Sequence, residues 1–259
     1  HGELIAQCRR DGARIILIDT PPHTPAVTEE GIAIAYADGG LAILDPKTGA
    51  EKWSRDLEGQ PGNPAAGQGR VAVTIDESRI QVFDAGDGRL VFTATTDERP
   101  ISDPAIADGA VYAVAGNVLA AVDAETGDRR WRATTGESSW APMFAAGRVH
   151  VLTDDGTLVS VDAASGAVVN SRQVIPGEPT DLLVTPTLDG ERILTGAGAN
   201  SPWIHTSYRS IPVGETTPEW VTFDTATTDL PAGPWPQPVV VDRGILVLGD
   251  DNVLRLVAT

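Results

Sequence analysis

Ala42-Ile43-Leu44-Asp45-Pro46-Lys47-Thr48-Gly49-Ala50-Glu51-Lys52-Trp53 reads as a strand, a tight turn and the start of a second strand, and its pattern returns at residues 81–92, 120–131 and 159–170. The anchors fall at Asp45, Asp84, Asp123 and Asp162 and at Gly49, Gly88, Gly127 and Gly166, a step of 39 residues each time. A period near 40 residues marks a supersecondary unit that cannot bury its own apolar face and must stack on its copies. The Asp and Gly have a local reason to recur. An Asp carboxylate accepts hydrogen bonds from backbone N–H groups two or three residues on, and Gly supplies the positive φ that closes the turn.

Working outward, each unit holds an apolar strand led by Pro, a Gly-containing turn, a second strand, a short acidic turn, a third strand, the Asp-to-Gly turn and a fourth strand. In the third unit these are Pro104 to Ile106, Asp108-Gly109, Val111 to Val114, Val118 to Val122, Asp123 to Gly127 and Arg129 to Ala133. No window carries helical spacing. Four short antiparallel strands per unit predict an all-β protein, a β-propeller of four-stranded blades. The aromatics four residues after the Gly, Trp53, Phe92 and Trp131, are read as packing against the neighbouring blade.

Weaker copies extend the ring. Val221 to Asp224 repeats the register of Val159 to Asp162, with about 23 residues inserted over 197–219. Pro238 to Val241, Gly244 to Leu248 and Val253 to Val257 form a last unit without a fourth strand. Asp11-Gly12 and Ala13 to Ile18 look like an orphan turn and fourth strand, so N-terminal pairing with the C-terminal blade is expected to close the ring. Strand-one prolines at Pro25, Pro64, Pro104, Pro142, Pro186 and Pro238 count six blades. Leu4 to Cys8 also aligns with a third strand, which leaves seven as the alternative. Residues 1–259 are expected to form a single domain.

The pattern Ala-x-x-Asp-x-x-Thr-Gly-x-x-x-Trp, complete at 42–53 and 120–131, resembles the repeat of the pyrroloquinoline-quinone-like propellers. That superfamily includes quinoprotein dehydrogenases and, closest in character, the propeller lipoprotein of the outer-membrane β-barrel assembly machinery. The resemblance implies the fold and says little about a ligand. Phe92 and Asn170 depart from the Trp, and no Gly follows Asp224. The quinone enzymes typically have eight blades and a disulfide of adjacent cysteines against the cofactor, whereas this chain has Cys8 alone, so no cofactor is expected.

Composition narrows the partners. With 19 basic and 36 acidic residues the net charge is −17, which repels phosphate backbones and anionic headgroups, so nucleic acid is not expected. No apolar stretch reaches the length of a membrane span, and no membrane insertion of this segment is expected. The four histidines lack metal-ligand spacing, and no Ser/His/Asp or Cys/His set stands out, so neither a metal site nor catalysis is expected.

The connectors from strand four to the next strand one, and the turns from strand two to three, open on one face, where sequence varies most. Asp38, Asp76 with Glu77, Asp154 with Asp155, and Asp250 with Asp251 lie at these tips. They would ring one mouth with negative potential that suits a basic peptide or protein patch, although Asp before Gly or Asn is equally good hairpin chemistry. The insertion brings Trp203, His205, Tyr208 and Arg209, either a contact epitope or a hairpin folded back on the ring. Trp140 and Trp235 sit in connectors, at the channel mouth or packed between blades. The expectation is a monomeric, non-catalytic scaffold of the cell envelope that holds a protein or peptide and lies outside the cytoplasm, either free or tethered to a membrane through residues outside this segment. A ligand-sensing ectodomain of a membrane receptor or kinase is the alternative, and a relative of the quinone-dependent dehydrogenases a more distant one.

Overall fold

A computed structural model describes residues 24–96 and 98–174 in full and, beyond them, the strand backbones at 184–189, 192–197, 207–212, 223–224, 239–241, 244–248 and 254–257. The expected N-terminal strand at 13–18, the copy at 4–8 and the ring closure lie outside the described residues. The chain divides into two compact units, residues 1–134 and 135–259.

The first unit holds three four-stranded antiparallel meanders. They are β1 (Ala26–Val27), β2 (Ile32–Tyr36), β3 (Gly40–Leu44) and β4 (Glu51–Asp56); β5 (Ala65–Gly67), β6 (Arg70–Ile75), β7 (Arg79–Asp84) and β8 (Leu90–Thr95); and β9 (Ala105–Ala107), β10 (Ala110–Ala115), β11 (Val118–Asp123) and β12 (Arg129–Thr134). The second unit continues with β13 (Met143–Ala145), β14 (Arg148–Leu152), β15 (Thr157–Asp162) and β16 (Val168–Gln173), then β17 (Val184–Asp189), β18 (Arg192–Ala197), β19 (Ser207–Pro212) and β20 (Phe223–Asp224). Its last described sheet has three strands, β21 (Val239–Val241), β22 (Gly244–Leu248) and β23 (Leu254–Val257).

The fifth sheet corrects one expectation. Val221 to Asp224 was expected as a third strand, but β18 pairs along its whole length with β19, from Arg192 against Pro212 to Ala197 against Ser207. Phe223 and Asp224 belong to the fourth strand. Tyr208 and Arg209 therefore stand in a strand, opposite Gly196 and Thr195, rather than in an inserted loop. Six paired residues outweigh a four-residue likeness of sequence, because ladder hydrogen bonds must be satisfied along the whole strand.

The repeat turn forms as its chemistry requires. Asp45 Oδ1 accepts from the N–H groups of Lys47 and Thr48, and Asp123 Oδ1 from those of Glu125 and Thr126. Asp84 takes Gly86 N–H, and Asp162 takes both the N–H and the hydroxyl of Ser165. The Arg130 guanidinium, and after it the N–H groups of Glu125 and Thr126, bring the Asp123 carboxyl down to about 2. In all four sheets the third-to-fourth ladder slips once beside the turn, between Ile43 and Leu44, Val82 and Phe83, Ala121 and Val122, and Ser160 and Val161. The slip is a β-bulge that adds local twist.

The aromatic four residues after the Gly is the fastener between sheets. Trp53 on β4 is buried on the Asp84–Gly88 turn of the next sheet, and its indole N–H donates to Ala85 O at 2.8 Å. A methyl group on Gly88 would fall 2.7 Å from the Trp53 ring, and one on Gly127 would fall 2.8 Å from Phe92. Between the first two sheets Ala33, Leu41 and Ile43 pack on Val71, Val73, Ile75 and Phe83. Between the second and third, Ala72, Ile80 and Val82 meet Val111, Ala113 and Ala115. Each core is thus an interface between sheets, as a repeat that buries its faces only by stacking requires.

Gly127 tests this fastener. Its φ is +78°, and the phenyl ring leaves no room for a side chain. Gly127→Ala is expected to lower the unfolding free energy by about 1–3 kcal/mol. Chemical denaturation followed by circular dichroism reads that loss, and a change below about 0.5 kcal/mol would mean that Phe92 moves aside freely.

Candidate functional site

The two ends of each sheet differ in construction. At one end the first turn is tied to the last: Ala85 N–H donates to Gly69 O, Ala124 N–H to Gly109 O and Ala163 N–H to Gly147 O. Arg70 bridges to Asp84 at 3.0 Å, and Arg130 to Asp123 at 2.9 Å. That end is closed, short and nearly identical from sheet to sheet.

At the other end the connectors run against the strand-two-to-three tips. Leu57 N–H donates to Gly39 O, Gln60 and Asp76 exchange bonds, and Ile101 N–H donates to Glu77 O. In the second unit Asp154 N–H donates to Glu137 O, while the Asp154 carboxylate accepts from Ser139 N–H at 2.9 Å and its hydroxyl at 3.1 Å. Variable connector sequence is therefore pinned to a rigid sheet edge, the arrangement in which loops carry recognition.

The expected tip residues separate into two groups. Asp76, Asp154 and Asp155 are exposed yet already engaged. Asp76 holds Gln60 N–H at 2.8 Å and lies 3.8 Å from the Arg79 guanidinium. The Thr153 hydroxyl, ahead of Thr157, holds the Asp155 carboxyl below its usual value. These three close their own turns and clip the incoming connector. Asp38 and Glu77 are exposed at their tips, and Glu77 keeps a φ of +47°. Asp250 and Asp251 lie outside the described residues.

Trp140 is half-buried in the connector before β13. Its N–H donates to the Ser138 hydroxyl, which itself donates to Leu152 O at 2.8 Å. The indole nitrogen is turned away from solvent and has no acceptor among the described residues, a placement that favours packing over contact at a mouth. Trp203, His205 and Trp235 lie outside the described residues, and of Tyr208 and Arg209 only the backbone in β19 is described.

Sequence reasoning missed a polar relay on this side. Thr24 N–H donates to the Asn63 side chain, and Asn63 donates through its N–H and its amide to Asp103 at 2.9 and 2.6 Å. The signal was there, since each residue directly precedes a strand-one proline, Pro25, Pro64 or Pro104. A methyl group on Gly62 would meet Asp103 Oδ1 at 2.1 Å, so the relay is built with no slack. Among the described residues no three His, Cys, Asp or Glu side chains gather in a way that could hold a metal ion.

Residues 37–258 match the family described as outer membrane protein assembly factor BamB. The serine/threonine-protein kinase AfsK of Streptomyces griseus is 32% identical over 145 residues, which are 48% of this chain and 17% of the kinase. The outer membrane protein assembly factor BamB of Yersinia pestis is 25% identical over 167 residues, 57% of this chain and 42% of that protein. The chain thus spans less than half the length of either relative. The crystal structure of BamB from Moraxella catarrhalis superposes with a TM-score of 0.53 at 16% identity, over 90% of this chain and 83% of that one. This likeness bears on fold alone, and the fold is an all-β propeller of four-stranded antiparallel sheets.

Proposed function

Because the chain belongs to the family of outer membrane protein assembly factor BamB, we propose that it is a non-catalytic scaffold of the cell envelope that holds a protein or peptide on its connector face. Its place outside the cytoplasm is part of the same reading. The observation that carries it is the pinning of variable connectors to the tips, through Leu57 on Gly39, Gln60 on Asp76, Ile101 on Glu77 and Ser139 on Asp154. Such a face is rigid before a partner arrives, which lowers the ordering cost of binding. In this reading residues 1–259 form one six-bladed ring. Support comes from the last described sheet, which is one strand short and would take an N-terminal strand.

Asp38 and Glu77 supply the charge that a basic partner would meet, because the other described tip carboxylates are bound locally. Residues 198–206, which follow β18 and precede β19 in the sequence, include Trp203 and His205 and are proposed as a further part of the contact surface. The test is affinity capture from the native envelope with mass spectrometric identification. Asp38→Asn with Glu77→Gln is expected to weaken the captured partner about 3- to 10-fold at low salt, with the difference fading as salt screens it. Capture that is indifferent to these two tips, and to replacement of 198–206 by a short glycine turn, would refute the connector face.

A second reading, the sensor propeller of a membrane kinase, is favoured by the 32% identity to AfsK. The native polypeptide separates the two, since a kinase domain on the same chain supports the second and argues against the first.

A further inference from the structure

One interface of the repeat is built from different side chains. In each of the first four sheets the second, third and fourth strands contribute one residue apiece to a cross-strand row near the Asp turn. The rows are Ala33, Ile43 and Trp53 in the first sheet, Ala72, Val82 and Phe92 in the second, and Tyr112, Ala121 and Trp131 in the third. The first row packs on the second sheet and the second row on the third, so this face looks toward the sheet that follows. The fourth sheet places His150, Ser160 and Asn170 in the same row. Alternation along β14 turns Val149 and Val151 the other way, so His150 and Ser160 face the fifth sheet, whose β17 lies beside β13.

An apolar row has thus become polar at all three positions. His150 and Ser160 are fully buried; His150 spends Nδ1 on the Ser160 hydroxyl at 2.8 Å, and its Nε2 is buried without a partner in hydrogen-bonding geometry. A buried polar atom left unbonded favours any state in which water reaches it. Asn170 has no ring to lay on the next turn, and the sequence of that turn departs too. The register of β18 with β19 puts Pro212 where the other sheets have Asp, and Thr216 stands four residues on, where they have glycine. Toward the connector end Leu152 and Leu158 pair as an apolar couple on the same face, so this joint is apolar at one end only. We propose that the interface between the fourth and fifth sheets is a seam at which the protein opens locally, the sheets parting at the turn end and staying joined at Leu152 and Leu158. Ladders within each sheet survive such an opening, because only the packed faces separate. The seam is a device of the fold and does not depend on which partner the connector face holds.

The test is thiol labelling of the whole chain in a Cys8→Ser background, which removes its single cysteine. Ser160→Cys places a thiol in the seam, and Val82→Cys places one at the matching position between the second and third sheets. The thiol of Ser160→Cys is expected to react about tenfold or more faster than that of Val82→Cys. Its urea dependence is expected to fall well below that of global unfolding, measured on the same variant by circular dichroism. Phe92→Asn then gives the second sheet the residue that the fourth sheet has, and is expected to speed labelling of Val82→Cys about tenfold, again with a shallow urea dependence. Equal rates for the two thiols, labelling of Ser160→Cys only at the rate and slope of global unfolding, or a Phe92→Asn effect that is absent or carries the global slope would each overturn the proposal.

Discussion

Trp53→Ala lowers the unfolding free energy of the first unit by about 3–5 kcal/mol, the range for deleting a buried aromatic. Three losses combine at this site. The ring leaves a void between the first two sheets, Ala85 O loses the indole donor, and the cover over Gly88 is gone. Arg55 loses support as well, because its guanidinium lies 5.8 Å from the Trp53 ring while it holds Gly88 O and Asp87 O. Phe92→Ala at the next interface costs less, because Phe92 is only partly buried and makes no polar bond to the turn it covers. The pairing has its own signature in a double-mutant cycle. Gly88→Ala alone suffers both the φ of +70° and the collision with Trp53, whereas in the Trp53→Ala background only the φ cost remains. A coupling of about 1 kcal/mol or more is expected from denaturant titration, and strict additivity would show that the ring does not read the glycine.

Acid is expected to weaken the second unit before it weakens the first. His150 on β14 is fully buried opposite Ser160, with Nδ1 2.8 Å from the Ser160 hydroxyl. Burial brings its pKa from 6.5 down to about 4; the Ala145 backbone opposes the shift, and the charges of Arg148 and Arg172 add to it. The folded state keeps this ring neutral while the unfolded chain takes up a proton as pH falls through 6.5. Stability held above that pH is therefore lost progressively down to about pH 4, where the folded protein is protonated too. The shift corresponds to about 3 kcal/mol. Below that window the turn carboxylates Asp45, Asp123 and Asp162, held under their usual values by side-chain bonds from Thr48, Arg130 and Ser165 and then by backbone N–H groups of the folded turn, extend the loss. Urea titrations at pH 7 and pH 4.5 measure the slope, and His150→Gln is expected to flatten it. An unchanged slope in that variant would place the acid sensitivity elsewhere.

Much of this protein was legible because its chemistry is local and repeated. The Asp-to-Gly turn needs only a carboxylate, one or two N–H groups for it to hold and a residue tolerant of positive φ, all within five positions, so four copies at one spacing announced four sheets. The packing role of Trp53 and Phe92 was equally readable, since a position that repeats with the sheet is a position between sheets. The fifth sheet was less so. Ser207–Pro212 has neither apolar alternation nor an Asp turn after it, and Val221 to Asp224 offered a better likeness to the wrong strand.

The acidic tips mark the boundary between the two kinds of knowledge. Sequence placed Asp76 and Asp154 at hairpin tips, because hairpin chemistry acts between neighbours along the chain. Only the folded arrangement decided that they hold Gln60 and Ser139, some 15 residues away in the connectors, and that Asp38 and Glu77 are left to face outward. The physical reason is distance along the chain. A turn selects its residues by local backbone geometry, whereas a carboxylate that reaches a connector depends on how the sheet brings two remote segments to one edge, and no periodicity records that.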